Sequence, residues 1–164
     1  MKINLARIDD RLIHGQVVTV WAKVAEAKRI IVVSKDVYAD SIRKTLVKQA
    51  APPGIKVNIV DVEKAIKVYK NDRYENETVF YLFTNPVEVL EMVQGGVPIT
   101  SINIGGMQYK EGKIQVTKAV SLSKEDIIAF EELKSLGVAL DCRVVATDPQ
   151  VDFATKINEI KSKL

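Results

Sequence analysis

Thr78-Val79-Phe80-Tyr81-Leu82-Phe83-Thr84-Asn85-Pro86-Val87-Glu88-Val89-Leu90-Glu91-Met92-Val93 changes character at its middle. Up to Phe83 the apolar residues are consecutive, which suits a strand covered on both faces, as in a parallel sheet. After it, Asn85 is a good helix N-cap and Pro86 fits the first helical position, so a helix is expected over 86–93. A buried strand feeding a helix is the repeating unit of an open α/β sheet, and the question is whether the rest of the chain repeats it.

It does in both directions. Strands are expected at 2–7, 29–33, 56–60, 78–83, 100–104 and 138–144, with Ile30-Ile31-Val32-Val33 another consecutive apolar run. Helical patterns lie between them at 16–27, 40–50, 61–69, 123–136 and 151–163. The first places Val17, Val20, Trp21 and Val24 on one stripe, and the second does so with Ile42, Leu46 and Val47 before stopping at Pro52-Pro53-Gly54. Ser123-Lys124-Glu125-Asp126 resembles a capping box, and Gly137 ends its helix. Gly105 to Lys113 reads as a loop or hairpin, with short strands expected at 114–116 and 119–122. The expectation is one α/β domain spanning 1–164: an open, mostly parallel sheet, mixed at one edge, with helices on both faces.

At 164 residues, with 47% apolar and 27% charged side chains, the chain can bury one real core. A net charge of +3, spread among 24 basic and 21 acidic residues, does not point to nucleic acid. Cys142 is the single cysteine, so no intrachain disulfide forms; its apolar surroundings suit a buried structural thiol. There is no His/Cys cluster for zinc, no secretory leader in Met1 to Arg7 and no apolar run of membrane-spanning length. The cytoplasm is the expected location.

The chemistry gathers around the only histidine, in Arg7-Ile8-Asp9-Asp10-Arg11-Leu12-Ile13-His14-Gly15-Gln16. In open α/β sheets ligands bind at the carboxyl ends of strands near helix N-termini, where this segment falls. A neutral imidazole is a nucleophile, and Arg7 and Arg11 would favour the neutral ring by charge repulsion, then offset the charge of a bound phosphoryl group. Asp9 or Asp10 could fix the ring tautomer; either could equally orient an arginine. Gly15 would let the backbone come close to an anion. Thr84 and Asn85 should project from the same edge, and Gly105-Gly106 could offer backbone donors to a phosphate or simply make a tight turn. The whole cluster could instead be an ion-paired surface loop.

The segment Ala6 to Val17 resembles the signature of the IIB subunits of the mannose/fructose/sorbose family of the bacterial phosphotransferase system. The resemblance continues through Arg29 to Val33, Thr45-Leu46, Ala51-Pro52, Asn103-Ile104-Gly105-Gly106-Met107 and Thr117-Lys118-Ala119-Val120-Ser121. Ala50 to Gly54 and Phe80 to Pro86 are most similar to its sorbose-specific branch. The resemblance implies a mixed, mostly parallel sheet and a phosphoryl carrier whose His14 accepts phosphate at Nδ1 from a IIA phosphohistidine. His14 would then pass it to a sugar of the sorbose, mannose or fructose class, held by the membrane components IIC and IID. It also implies phosphate-holding roles for Arg7 and Arg11, and places Asp9 and Asp10 in the site by position.

No nucleotide loop or magnesium-binding acidic pair is evident, and a carrier charged by a phosphohistidine needs no cofactor. Two partners in turn require a shallow, exposed site at the inner face of the membrane. Exposed apolar helix positions would be the place for a homodimer. A histidine phosphatase or mutase would want a second catalytic acid such as another histidine, and the chain has none. A non-catalytic anion-binding module is the rival from another class; stable label on His14 from a phosphorylated carrier separates the two.

Overall fold

Alternate residues along the strands feed two separate cores, and this parity assigns the helices to their faces. The structure, a computed structural model, describes residues 1–15 and 17–163. Its main strands are β1 (Lys2–Asp9), β2 (Arg29–Val33), β3 (Lys56–Val60), β4 (Thr78–Phe83), β5 (Ser101–Gly106) and β8 (Ala139–Cys142). They form one sheet in the order β3-β2-β4-β1-β5-β8, and each neighbouring pair is parallel.

Ile31, Val33, Tyr81, Phe83, Ile102 and Ile104 share one core with α4 (Val62–Tyr69), α5 (Pro86–Gln94), α6 (Lys124–Ser135) and α7 (Phe153–Lys161). Ile30, Val32, Phe80 and Leu82 share the other with α1 (Val17–Ala25) and α2 (Lys35–Ala39). Helices on both faces explain why the strands are apolar on consecutive positions. The α/β class expected from the sequence is therefore the one found.

The antiparallel part is a separate ribbon, β6 (Ile114–Gln115) with β7 (Ser121–Leu122), rather than a strand of the main sheet. Backbone bonds from Met107 N to Ala119 O (3.0 Å) and from Ser121 N to Met107 O (2.8 Å) tie it to the end of β5. On the main sheet's β8 edge, antiparallel character among the described residues is limited to one bridge, Asp141 to Asp152.

Two helical stripes differ from expectation. The face of α1 that packs on the sheet is Val18, Trp21, Ala22 and Ala25, whereas Val20 and Val24 point outward, Val24 with 59% of its surface exposed. The two alanines let the helix lie close to the strands, and a stripe chosen by side-chain size misses them. Ile42 and Leu46 of α3 (Ser41–Gln49) are likewise exposed, at 73% and 59%. The short α2, capped by the Ser34 hydroxyl accepting from Val37 N, precedes α3 and was not expected. Gln16, read as the first residue of the first helix, lies outside the described residues. Cys142 is half-buried rather than buried, and desolvation pushes its thiol up to about 11.

The strand order places the site. β1 is central, and the helix after it covers one face while those after its neighbours β4 and β5 cover the other. The chain therefore parts at the carboxyl end of β1, the crevice where open α/β sheets bind ligands.

Candidate functional site

β1 continues to Asp9, two residues past the expected end, so Arg7 and Asp9 lie on the same face of one strand. That face meets α1. Both side chains are fully buried, and Arg7 Nη2 donates to Asp9 Oδ2 at 3.2 Å. Arg11, in the loop after β1, turns back onto the same carboxylate: its Nε and backbone N donate to Asp9 Oδ1 at 3.1 and 3.2 Å, and its Nη2 to Oδ2 at 3.2 Å. His14 Nε2 lies 3.2 Å from Asp9 Oδ2.

Asp9 is the hub of the loop. Burial alone would raise its pKa, but the hydrogen bonds from Arg11 and His14 and the charges of Arg7 and Arg11 outweigh burial and hold it below the ordinary value. An ionised carboxylate only accepts, so the His14 proton sits on Nε2 and the lone pair on Nδ1. Of the two aspartates between which the sequence could not choose, Asp9 meets the ring. Asp10 points elsewhere: its Oδ2 accepts from Gln108 N at 2.7 Å, and its backbone N donates to Gly106 O at 3.0 Å. Burial raises the Asp10 pKa, opposed by that Gln108 bond.

The loop is held open at the right place by its apolar residue. Leu12 adopts φ +62°, unusual for a bulky side chain, and is 97% buried in the α1-side core. Packing of Leu12 thus fixes a tight turn, closed by Leu12 N to Asp9 O at 2.9 Å, and leaves His14 24% and Arg11 38% exposed. Gly15 also has positive φ, +50°, which suits glycine at the approach to α1. The ring is therefore accessible, and only part of the Arg11 fork is engaged by Asp9.

Arg7 was expected to hold phosphate, but it lies beneath the site. Its Nη1 donates to Asn103 Oδ1 and to Arg143 O (2.9 Å), and its Nη2 to Val144 O (2.9 Å) as well as Asp9. Its guanidinium stacks on Trp21, 4.7 Å from the ring centroid, with Arg143 also near that ring at 5.4 Å. Burial lowers the Arg7 pKa and Asp9 opposes this. A buried cation needs such partners, and with its terminal nitrogens committed Arg7 acts as a strut for Asp9.

Gly105 and Gly106 are strand residues rather than a tight turn. They end β5, where the register with β1 skips one residue: Ile8 pairs with Ile104 and Asp9 with Gly106. A Cβ on Gly105 would overlap the Arg7 guanidinium, and one on Gly106 would stand 3.1 Å from both Arg11 Nη2 and Asp9 Oδ1. The pair is glycine because two guanidinium groups cross it.

Asn85, expected at the phosphate, is engaged at the start of its own helix. It caps α5, accepting from Glu88 N at 3.0 Å, and its Nδ2 donates to Thr84 Oγ1 and Glu88 Oε1. Its surroundings are acidic: the adjoining cleft is lined by Asp36, Asp61, Glu88 and Glu91 among others. Thus the structure gathers His14, Asp9 and Arg11, with Gly15 beside them, and among the described residues no side-chain hydrogen bond joins Thr84 or Asn85 to that group.

Sequence reasoning missed Trp21, Asn103, Asp141 and Arg143. Asp141 Oδ2 accepts from Asn103 and Arg143 (3.2 and 2.8 Å), and Trp21 Nε1 donates to Val144 O at 3.1 Å. A signal existed: Asn103 and Asp141 are polar positions inside apolar strands.

Comparison with known proteins shows the family. Residues 3–164 match the family described as "PTS system sorbose subfamily IIB component". The chain is 64% identical to the sorbose-specific EIIB component of Lacticaseibacillus casei, over 99% of both chains. It is 53% identical to the mannose-specific EIIAB component of Escherichia coli, covering 98% of this chain and 50% of that protein. The crystal structure of the IIBSor domain of the sorbose permease from Klebsiella pneumoniae superposes with a TM-score of 0.95, at 64% identity, over 97% of this chain and 98% of that one.

Proposed function

The chain belongs to the sorbose subfamily of PTS IIB components, phosphoryl carriers in sugar uptake, and from that premise we propose that His14 is the residue that carries the phosphoryl group. Residues 1–164 act as one IIB domain. The observation that supports this most is the Nε2 contact to ionised Asp9, which leaves the lone pair at Nδ1 on a partly exposed ring.

In the accepting step the Nδ1 pair forms a bond to phosphorus while the donor's P–N bond breaks and its electron pair stays on the donor nitrogen. The ring, still protonated at Nε2, then carries positive charge that Asp9 offsets. Arg11 supplies the guanidinium for the phosphoryl oxygens. In the second step a sugar hydroxyl oxygen takes the phosphorus, its proton is released and the P–N pair returns to Nδ1. One P–N bond is exchanged for a similar one first, so positioning and charge stabilisation are what the protein must supply.

The donor is a phosphorylated IIA protein or domain. The E. coli relative supports this: it is called EIIAB, and this chain aligns with half of it. The acceptor is a sugar held by IIC and IID, and the names of the sorbose-specific relatives favour sorbose. The chain works in the cytoplasm, at the inner membrane face; no described helix is long and apolar enough to cross a membrane.

The test is incubation with phosphorylated IIA followed by mass analysis. One phosphoryl adduct mapped to His14 is expected, and His14→Ala should take up none while keeping the fold. An adduct on His14→Ala, or immediate release as inorganic phosphate from the native chain, overturns the reading.

A further inference from the structure

Beside the loop, on the flank away from Asn85, lies a second cleft of about 390 Å³ that shares only Arg11 with the reaction described above. It starts at Arg11 and Gly106, runs along Gln108 and Tyr109, and is closed by Gln115, Lys118 and Ser121 of the ribbon. No carboxylate lines it. Its two charged residues, Arg11 and Lys118, are both cations, whereas the cleft on the opposite flank has Lys35 as its one lining cation and is otherwise rich in carboxylates. The two sides of the site therefore offer opposite environments to an anion.

Lys118 stands on a rigid base. It occupies a turn closed by Val120 N to Thr117 O (3.3 Å) and Thr117 N to Val120 O (3.1 Å), with Ala119 N donating to Thr117 Oγ1 at 3.3 Å. The Met107 bonds to Ala119 and Ser121 fix this turn to the residue after Gly106, the glycine over which Arg11 lies. The exposed ammonium and the partly engaged Arg11 fork thus belong to one wall and one floor of the same cleft. Lys118 is exposed, and its side chain makes no ion pair among the described residues.

We propose that this cleft is an anion subsite in which Lys118 and Arg11 bind the phosphoryl group as it enters or leaves His14. This rests on the reading of His14 as the carrier. The subsite's ligand is a tetrahedral dianion, the phosphoryl moiety itself. Arg11 grips it as a planar fork, Lys118 as a point charge, and Gln108, Gln115 and Ser121 provide neutral polar neighbours. Lys118 is then a second phosphoryl-binding cation, in the place expected of Arg7, which the fold keeps buried. The negative charge of the transferred group grows neither on nor against a carboxylate on this flank, so transfer is steered to it rather than to the acidic side.

The probe is inorganic phosphate, titrated into the unphosphorylated protein and followed by amide NMR. Saturable shifts are expected at Arg11, Gln108, Lys118 and Ala119, weakened ~10-fold in Lys118→Gln and restored in Lys118→Arg. Lys44→Gln, on a distant helix, should bind as the native chain does. Shifts that are unsaturable, that spread over other lysines, or that persist in Lys118→Gln overturn the proposal.

The rate of phosphoryl uptake from phosphorylated IIA is the second readout. Lys118→Gln should still carry the adduct on His14 but acquire it ~10-fold more slowly, and an unchanged rate also overturns the proposal. If the native chain itself takes no phosphoryl group on His14, the carrier reading fails instead, and the phosphate titration alone decides the cleft.

Discussion

Asp9 binds two arginines and the His14 imidazole through one buried carboxylate. Replacing it with asparagine keeps the shape but lets the amide donate, so the His14 tautomer is no longer imposed. Asp9→Asn should slow phosphoryl uptake by on the order of 10²–10⁴-fold, in line with the loss of a carboxylate that orients a catalytic imidazole. The pH dependence has a definite sign. Because the folded Asp9 titrates below its ordinary value of 3.8, its stabilisation is present above that pH and is lost as pH falls through the lower folded value. Asp10 and Glu88, raised by burial, act in the opposite sense: each destabilises the fold once ionised, and that effect fades on acidification. Urea unfolding at neutral pH and at about pH 3 should show the native chain's advantage over Asp9→Asn shrinking in acid; an advantage that stays constant contradicts the assignment. The identity of this hub was within reach of the sequence. Ile8 is apolar and faces the other core, so extending the strand by two residues puts Asp9 on the side of Arg7, but the charged run Asp9-Asp10-Arg11 looks like a loop.

Among the elements, the end of β5 shows how a glycine pair can be misread. Gly105-Gly106 follows a strand, and backbone donors or a turn are the ordinary readings; the actual reason is that guanidinium groups from another strand and loop pass over it. That cause is tertiary, and no local pattern contains it. Gly105→Ala should therefore destabilise the protein by roughly 1–3 kcal/mol, as an overpacked core does, with uptake also slowed because Arg7 no longer supports Asp9. Thermal unfolding together with the uptake assay checks this; a variant as stable as the native chain would mean that Arg7 has another place to go. The helix caps were legible for the opposite reason. Asn85 and Ser123 bond to backbone three residues ahead, and a three-residue relationship is visible in the sequence itself. Asn85 commits both ends of its amide here, the oxygen to the cap and the nitrogen to Thr84 and Glu88.

Across the whole molecule, the alternation of strands and helices could be read from periodicity, while the order β3-β2-β4-β1-β5-β8 could not, because nothing local says which strands pair. The stripe on α1 failed for a related reason. Valines and alanines on all sides of that helix allow several stripes, and only the sheet decides that Ala22 and Ala25 face inward. This gives a clean contrast. Val24→Lys and Leu46→Lys should each change stability by no more than about 0.5 kcal/mol, as exposed positions do, whereas Trp21→Ala should cost about 3–5 kcal/mol. Chemical denaturation of the three variants distinguishes this packing from the stripe that side-chain size suggests.

Trp21 is the chain's single tryptophan, with the Arg7 and Arg143 guanidiniums near its ring and its N–H on the Val144 carbonyl. Tryptophan fluorescence, excited beyond the tyrosine absorption, therefore originates at one spot, next to the strut beneath the His14 loop. The molecule comes with its own optical gauge, in which a change of emission colour or of access to a soluble quencher speaks for that spot alone, without any attached dye.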